Sequence, residues 1–305
     1  MTRFNKNLID VSNCYFCNSK NLAYSNKRRA VEFYQLRRFY LCLECNGFSL
    51  YPKLEDFEIA ALYSTSYIDS VNPHIESDPK GKRDRFIALF KVLHSYTSQA
   101  ELNFLDYGCG SNAEVVIRAS NLGINAFGVE VEAETRLMAQ KASGCQIFSP
   151  RELMDSGLKF HIVFLGDVLE HLNSPQATLN EIYDVLAPGG VLVVQGPLEG
   201  ATTISNSLLS INSSLKRATP SQFPPYHVSL ASRKSLTALF NNANFMIRTL
   251  RVSEPLWPAP RFGSPASLHS LSAFIFSVTK LLDISISRFI RRFGTRFYLE
   301  ASKLP

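Results

Sequence analysis

This sequence of 305 residues contains no run approaching the roughly 18 consecutive apolar residues of a membrane-spanning helix. Its opening residues, MTRFNKNLID, lack the apolar core of a secretory signal. Both absences set the expectation of a protein that stays in the cytoplasm, where it is made, and touches a membrane at most from the surface. Cysteine is scarce. Six thiols in a chain this long do not make a disulfide scaffold, and four of them are paired as metal ligands would be. A full G-x-G-x-x-G is missing as well, which speaks against a dinucleotide-dependent dehydrogenase. Charge is modest, at 19% of residues with a net +6. Basic residues gather at 27–38 and 288–296 and read first as solvated faces, second as grips for nucleic acid, anionic lipid or acidic substrates. With 46% hydrophobic residues a substantial core is available, and the length suits one large α/β domain with an appendage.

What is present begins with the thiols. Cys14-Tyr15-Phe16-Cys17 and Cys42-Leu43-Glu44-Cys45 are two C-x2-C knuckles separated by 24 residues. Each knuckle turns tightly enough to place two thiolates on one ion, and two knuckles complete a closed tetrahedral site, the usual arrangement of structural zinc. Residues 31–34 and 38–43 are strand-like, as a zinc ribbon needs, and Gly47 is expected to supply a positive φ after the second knuckle. A lone redox C-x-x-C would require a strand-to-helix junction instead.

Farther on, residues 85–96 carry helical apolar spacing, and Leu102-Asn103-Phe104-Leu105 runs as a short strand into Asp106-Tyr107-Gly108-Cys109-Gly110. The glycines allow a sharp turn and close approach of a ligand to the backbone. About twenty residues later a second strand ends in Glu130, an acid placed to accept hydrogen bonds from a ribose diol. The segment 162–172 (IVFLGDVLEHL) predicts a strand leading into a helix, and LAPGG at 186–190 stops a helix before the strand at 191–194. Alternation of this kind gives a parallel sheet with helices on both faces.

The successive segments LDYGCG, GVEV, GDVLEHL and LAPGGVLVV resemble, in order and spacing, the motifs of class I S-adenosylmethionine-dependent methyltransferases over residues 102–252. The resemblance implies a Rossmann-like α/β fold with a seven-stranded sheet whose last strand is antiparallel, a helix at 231–240, and a strand at 244–252 near the sheet's end. It implies S-adenosylmethionine as cofactor. Asp106, Tyr107, Gly108 and Gly110 would line its methionine part, Glu130 would hold the ribose hydroxyls, and Gly166, Asp167 and Val168 would pass beneath it. His161 departs from the family, which carries aspartate just before the fourth strand. A ribbon, a tyrosine-bearing segment (residues 62–67, LYSTSY) and then the methyltransferase domain is also an order shared with enzymes acting on small metabolites or glycans, an analogy favouring a small-molecule or saccharide acceptor.

Methyl transfer from a sulfonium needs no acid, but an acceptor hydroxyl or acidic carbon must lose a proton. His227 follows a Ser-rich insertion at 205–221, where a substrate lid would sit, and is the candidate base. Its rival role is a surface or capping histidine. His171 either contacts the cofactor or braces its loop, and Tyr226 orients the acceptor or packs. A metal site from Glu170 and His171 is disfavoured, since adjacent residues on a helix do not face each other. The Pro224-Pro225-Tyr226 segment falls after the fifth strand, not at the end of the fourth as in amino-directed nucleic-acid methyltransferases, and reads as coincidence.

The expected organisation is a four-cysteine ribbon (1–52), a helical linker and cap (53–100), the methyltransferase domain (101–254), and a Pro-rich linker with an amphipathic helical tail (255–305). In the tail, Leu268, Leu271, Ile275, Val278, Leu282, Ile286, Phe289 and Phe293 keep helical spacing before a basic end. Docking of that apolar face on the protein itself or on a second subunit is the first expectation, an interfacial membrane helix the second. The leading functional expectation is an oxygen- or carbon-directed methyltransferase for a small molecule or saccharide. The alternatives are an RNA-binding methyltransferase that grips with ribbon and basic patches, and a cofactor-binding protein without catalysis. Nucleic acid is disfavoured by the modest charge and the absent amino-directed motif.

Overall fold

The computed structural model describes residues 12–25, 37–55, 58, 86–96, 102–200, 203–204, 227–255, 271–290 and 292–303. Near the N-terminus β1 (Leu22–Tyr24), β2 (Arg38–Cys42) and β3 (Phe48–Tyr51) pair antiparallel. Each C-x2-C turn is followed by an asparagine in the left-handed region, Asn18 at φ 61° and Asn46 at φ 60°, the conformation asparagine tolerates better than most residues. Gly47 is not among the positive-φ positions, contrary to expectation. It is needed for space instead: a Cβ there would lie 2.6 Å from the Phe16 ring and 2.9 Å from Ser235 Cβ.

The larger sheet is built from β4 (Asn103–Tyr107), β5 (Asn125–Val129), β6 (Ile147–Phe148), β7 (Phe160–Gly166), β8 (Leu186–Pro197), β10 (Phe245–Ser253) and β11 (Arg296–Lys303), in the order β10-β11-β8-β7-β4-β5-β6. Its central strands are nearly continuous apolar runs, because helices cover a parallel sheet on both faces. On one face Leu105, Val163, Leu192 and Val194 pack with Leu179 and Ile182 of α5 (Pro175–Val185) and with Leu236 and Phe240 of α6 (Arg233–Asn242). On the other, Phe104, Ile162, Val191 and Val193 meet Leu89 and Leu93 of α1 (Ile87–Tyr96) and Val116 of α2 (Glu114–Asn121). His161, standing where an aspartate was expected, accepts the Asn103 N–H at 3.1 Å and so anchors the start of β4.

The chain ends differently from the expected tail. The helix α7 (Leu271–Phe289) is present, but the residues after it return as β11, antiparallel to both β10 and β8. The seventh strand therefore lies beyond residue 254, the expected boundary of the domain. Its period-two pattern, with Phe297, Leu299 and Ala301 turned inward, was obscured by extending a helical reading through Phe293 into the basic run.

The two sheets are joined through β9 (Ser229–Leu230), which adds to β3 from more than 170 positions along the chain. Ser232 then caps α6 by accepting the Ser235 N–H at 3.0 Å, and its hydroxyl donates to the Cys45 carbonyl at 2.8 Å. The ribbon is thus welded to the larger sheet by backbone pairing and by a helix cap. Gly47→Ala is expected to cost about 1–3 kcal/mol through overpacking against Phe16 and α6, read as a lower urea midpoint with an unchanged slope.

Candidate active site

The glycine loop sits at the carboxyl ends of β4 and β5. Gly108 (φ +83°) and Cys109 donate their N–H groups to the Val129 carbonyl at 2.8 and 3.1 Å. A Cβ on Gly108 would stand 2.5 Å from Val168 Cγ2, so no side chain fits between the loop and the end of β7. Glu130 accepts the Gly110 N–H at 3.1 Å and the Val131 N–H at 2.9 Å, fastening the loop to the next strand. Asp106 is buried beneath, and burial followed by the nearby Glu130 charge pushes its carboxyl up to about 8. Asp106, Gly108, Gly110, Glu130, Gly166, Asp167 and Val168 therefore gather along one sheet edge. The Tyr107 side chain does not join them: it turns into the core and donates to Glu181 on α5 at 3.2 Å. The Asp167 carboxylate pairs with Arg296 of β11.

Directly after β7 a 3-10 turn, Leu169–His171, carries the second cluster. His227 Nδ1 lies 2.5 Å from Glu199 Oε2, and its Nε2 lies 3.9 Å from Glu170 Oε1. His171 Nε2 lies 4.0 Å from the same oxygen, and the two imidazoles meet edge to face at 5.0 Å between centroids. The expectation that Glu170 and His171 stay apart is overturned, because the segment is a single tight turn and His227 closes the group. Glu170 is buried, and its Oε2 has no hydrogen-bond partner among the described residues. Burial, then the Asp167 charge, pushes its carboxyl above the usual range. Burial alone would lower His227, but the hydrogen bond and charge of Glu199, with Glu170 and Asp167, outweigh it and raise the imidazole above 6.5.

Backbone bonds hold this cluster in place. Leu50 N–H donates to the Val228 carbonyl at 3.0 Å, Val228 N–H to the Glu170 carbonyl at 2.8 Å, and Ser229 Oγ to the Leu169 carbonyl at 3.0 Å. Glu199 is fixed from the other side, since Gly200 N–H donates to the Ala231 carbonyl at 2.8 Å. Tyr226 lies outside the described residues, as do 31–34, 62–67 and 205–221.

Among the described residues, two groups could hold a metal. Cys14 and Cys45 have their sulfurs 3.5 Å apart, as do Cys17 and Cys42, and all four lie within 4.8 Å of one another. Thiolates bound tetrahedrally at about 2.3 Å would be about 3.8 Å apart, so the cluster is compatible with zinc. Donor atoms of Glu170, His171 and His227 also lie within 4.8 Å.

Residues 76–250 match a family model described as a methyltransferase domain, more than half of the chain. The chain belongs to the methyltransferase-domain family. Its seven-stranded sheet is that of class I S-adenosylmethionine-dependent methyltransferases, as the sequence resemblance implied. No curated protein matches this methyltransferase. Among solved structures it is similar to the plantazolicin methyltransferase BpumL in complex with a pentazolic desmethylPZN analog and SAH, at 12% identity and TM-score 0.51, over 81% of this chain and 95% of that one. It is also similar to magnesium protoporphyrin IX methyltransferase from Synechocystis PCC 6803 with bound SAH, at 14% identity and TM-score 0.49, over 82% and 100%. A SAM-dependent methyltransferase from Methanosarcina mazei matches at 15% identity and TM-score 0.46, over 70% and 97%. At such identities the first likeness speaks for the fold alone.

Sequence reading missed Glu199 and Arg296 in this methyltransferase. Glu199 could have been found from its place just past β8, since ligands in open α/β sheets bind outside the carboxyl ends of the strands. Arg296 offered no such signal. Glu199→Gln should lower the His227 pKa, because it removes the carboxylate that stabilises the imidazolium. Histidine NMR titration of both proteins checks this, and an unmoved His227 resonance would sink the pairing.

Proposed function

We propose that this methyltransferase moves a methyl group from S-adenosylmethionine to a hydroxyl oxygen of a small molecule or saccharide, with His227 as general base. The observation that carries the reading is the ring whose Nδ1 is held by Glu199 at the sheet edge that also carries the glycine loop. Donation of Nδ1–H to Glu199 leaves Nε2 as the proton acceptor. The cofactor, when bound, supplies an electrophilic methyl whose sulfur leaves as a neutral thioether. The residues present fit it: the turn at Gly108 admits no side chain, and Glu130 stands on the next strand with carboxylate lone pairs beyond its two backbone bonds. As the acceptor oxygen forms its bond to the methyl carbon, its proton passes to His227 Nε2. His171 packs edge to face against the ring, and Tyr226, the residue just before His227, is assigned to orient the acceptor. Four thiolates of the ribbon bind one structural zinc, with no open coordination position for substrate. The catalytic domain in this reading extends from 101 to the strand ending at Lys303.

A second reading puts a divalent cation on Glu170, His171 and His227, favoured by a buried Glu170 oxygen that has no partner among the described residues. Dialysis against EDTA that leaves the thiolate-bound zinc in place separates the two. Retained activity supports the base, while loss restored by Mg2+ or Mn2+ supports the cation.

Calorimetry should give binding of S-adenosylmethionine in the micromolar range, roughly −8 kcal/mol, weakened by Asp106→Ala and by Glu130→Ala. Absence of binding by folded, zinc-loaded protein would remove the cofactor assignment. His227→Ala should keep that binding and lose about 10²–10⁴ in kcat against a panel of sugars and hydroxylated metabolites. The wild-type rate should rise with pH through an apparent pKa above 6.5 and then level off, because only the neutral imidazole accepts a proton. His227→Ala should lack this limb. RNA binding that falls steeply with salt would instead move the acceptor to nucleic acid. Elemental analysis should find one zinc per chain, and Cys42→Ser should lose it together with thermal stability.

A further inference from the structure

Helix α7 is mounted with its polar side inward. Ser277, Thr279, Lys280 and Asp283 are buried, Lys280 at 4% exposure and Asp283 at 0%. Lys280 pairs with Glu254 at the end of β10, whose other oxygen accepts from Thr295 at 2.8 Å, while Asp283 accepts the Ile204 N–H at 3.0 Å. The opposite side carries Phe274, Ile275, Val278, Leu281, Leu282 and Phe289, all exposed, Phe289 to 89%. Their three- and four-residue spacing puts them on one face. The sequence pattern favoured docking of this apolar face on the protein itself or on a second subunit; in the single chain these side chains stand exposed.

The inversion is fixed. Rolling the helix to hide the apolar face would break the Lys280–Glu254 pair and leave buried charge uncompensated, among the costliest of changes. The outward face contains no acidic side chain, and its one charged residue is Arg288 at the C-terminal end, with Arg292 exposed just beyond. A second copy laid on it face to face would bring no carboxylate to those arginines. A layer of phosphate headgroups over hydrocarbon matches both features, since the rings and branched chains enter below the headgroups and the guanidinium groups bind phosphate. Among the described residues no helix is long and apolar enough to cross a membrane, so the contact is one of lying on the surface.

We propose that the outward face of α7 docks on an anionic lipid surface, with Leu281, Leu282 and Phe289 inserted and Arg288 and Arg292 on the headgroups. The proposal uses neither the cofactor nor the acceptor and stands apart from the methyl-transfer reading.

The test is flotation of the full chain with phosphatidylcholine vesicles, with and without phosphatidylglycerol. The protein should float with the anionic vesicles, less so as salt rises. Leu282→Glu should abolish flotation without lowering the melting temperature, because the side chain is exposed. Arg288→Gln and Arg292→Gln should each weaken binding about fivefold. A wild-type protein that stays with neither vesicle overturns the proposal. In that case, a light-scattering mass of two chains that Leu282→Glu returns to one assigns the face to a second copy. A monomer destabilised by Leu282→Glu assigns it to another part of this chain.

Discussion

The pairing of β3 with the strand that follows His227 is the constraint on which the rest of the site depends. One residue does most of this work: the Val228 carbonyl accepts from Leu50 of the ribbon, and the Val228 N–H donates to the Glu170 carbonyl just past β7. Buried backbone groups must find partners, so this short segment can bond both sides only where it lies. His227 is then set at the carboxyl edge of the sheet, between the turn that carries Glu170 and the loop that carries Glu199. A four-cysteine ribbon far from the glycine loop in sequence thereby becomes a positioning element for the proposed base.

Within the cluster, burial and charge act against each other. Desolvation would strip the proton from His227 and force one onto Glu170. Glu199, at 2.5 Å from Nδ1, decides for His227, holding the ring in one orientation and raising its affinity for a proton. Asp167 adds negative charge beside Glu170, and its partner Arg296 from β11 offsets part of that effect. The seventh strand therefore completes the sheet and brings a counter-charge to a carboxylate next to the site.

Buried polar groups set the geometry at α7 as well. A helix whose inward side holds Lys280 and Asp283 can take only the rotation in which both meet their partners. The apolar residues on its other side go outward as a consequence. An amphipathic pattern states that two faces differ, and the buried ion pair states which one is inside.

Features determined by residues close together in the chain were legible in the sequence. The C-x2-C spacing places two sulfurs on one turn, the Asp106–Gly110 loop joins a strand to a helix, and Glu130 ends the next strand. Strand and helix periods gave the doubly covered sheet, because each is a local property of side-chain direction. Gly47 was found, but its reason was not, since the Phe16 ring and Ser235 reach it only in the folded chain. The same holds for Glu199 beside His227, 28 positions apart, and for Arg296 beside Asp167, 129 apart. Such contacts carry no periodic signature. Only the tertiary structure decided them, because burial chooses which charges must meet and the sheet's strand order chooses which can.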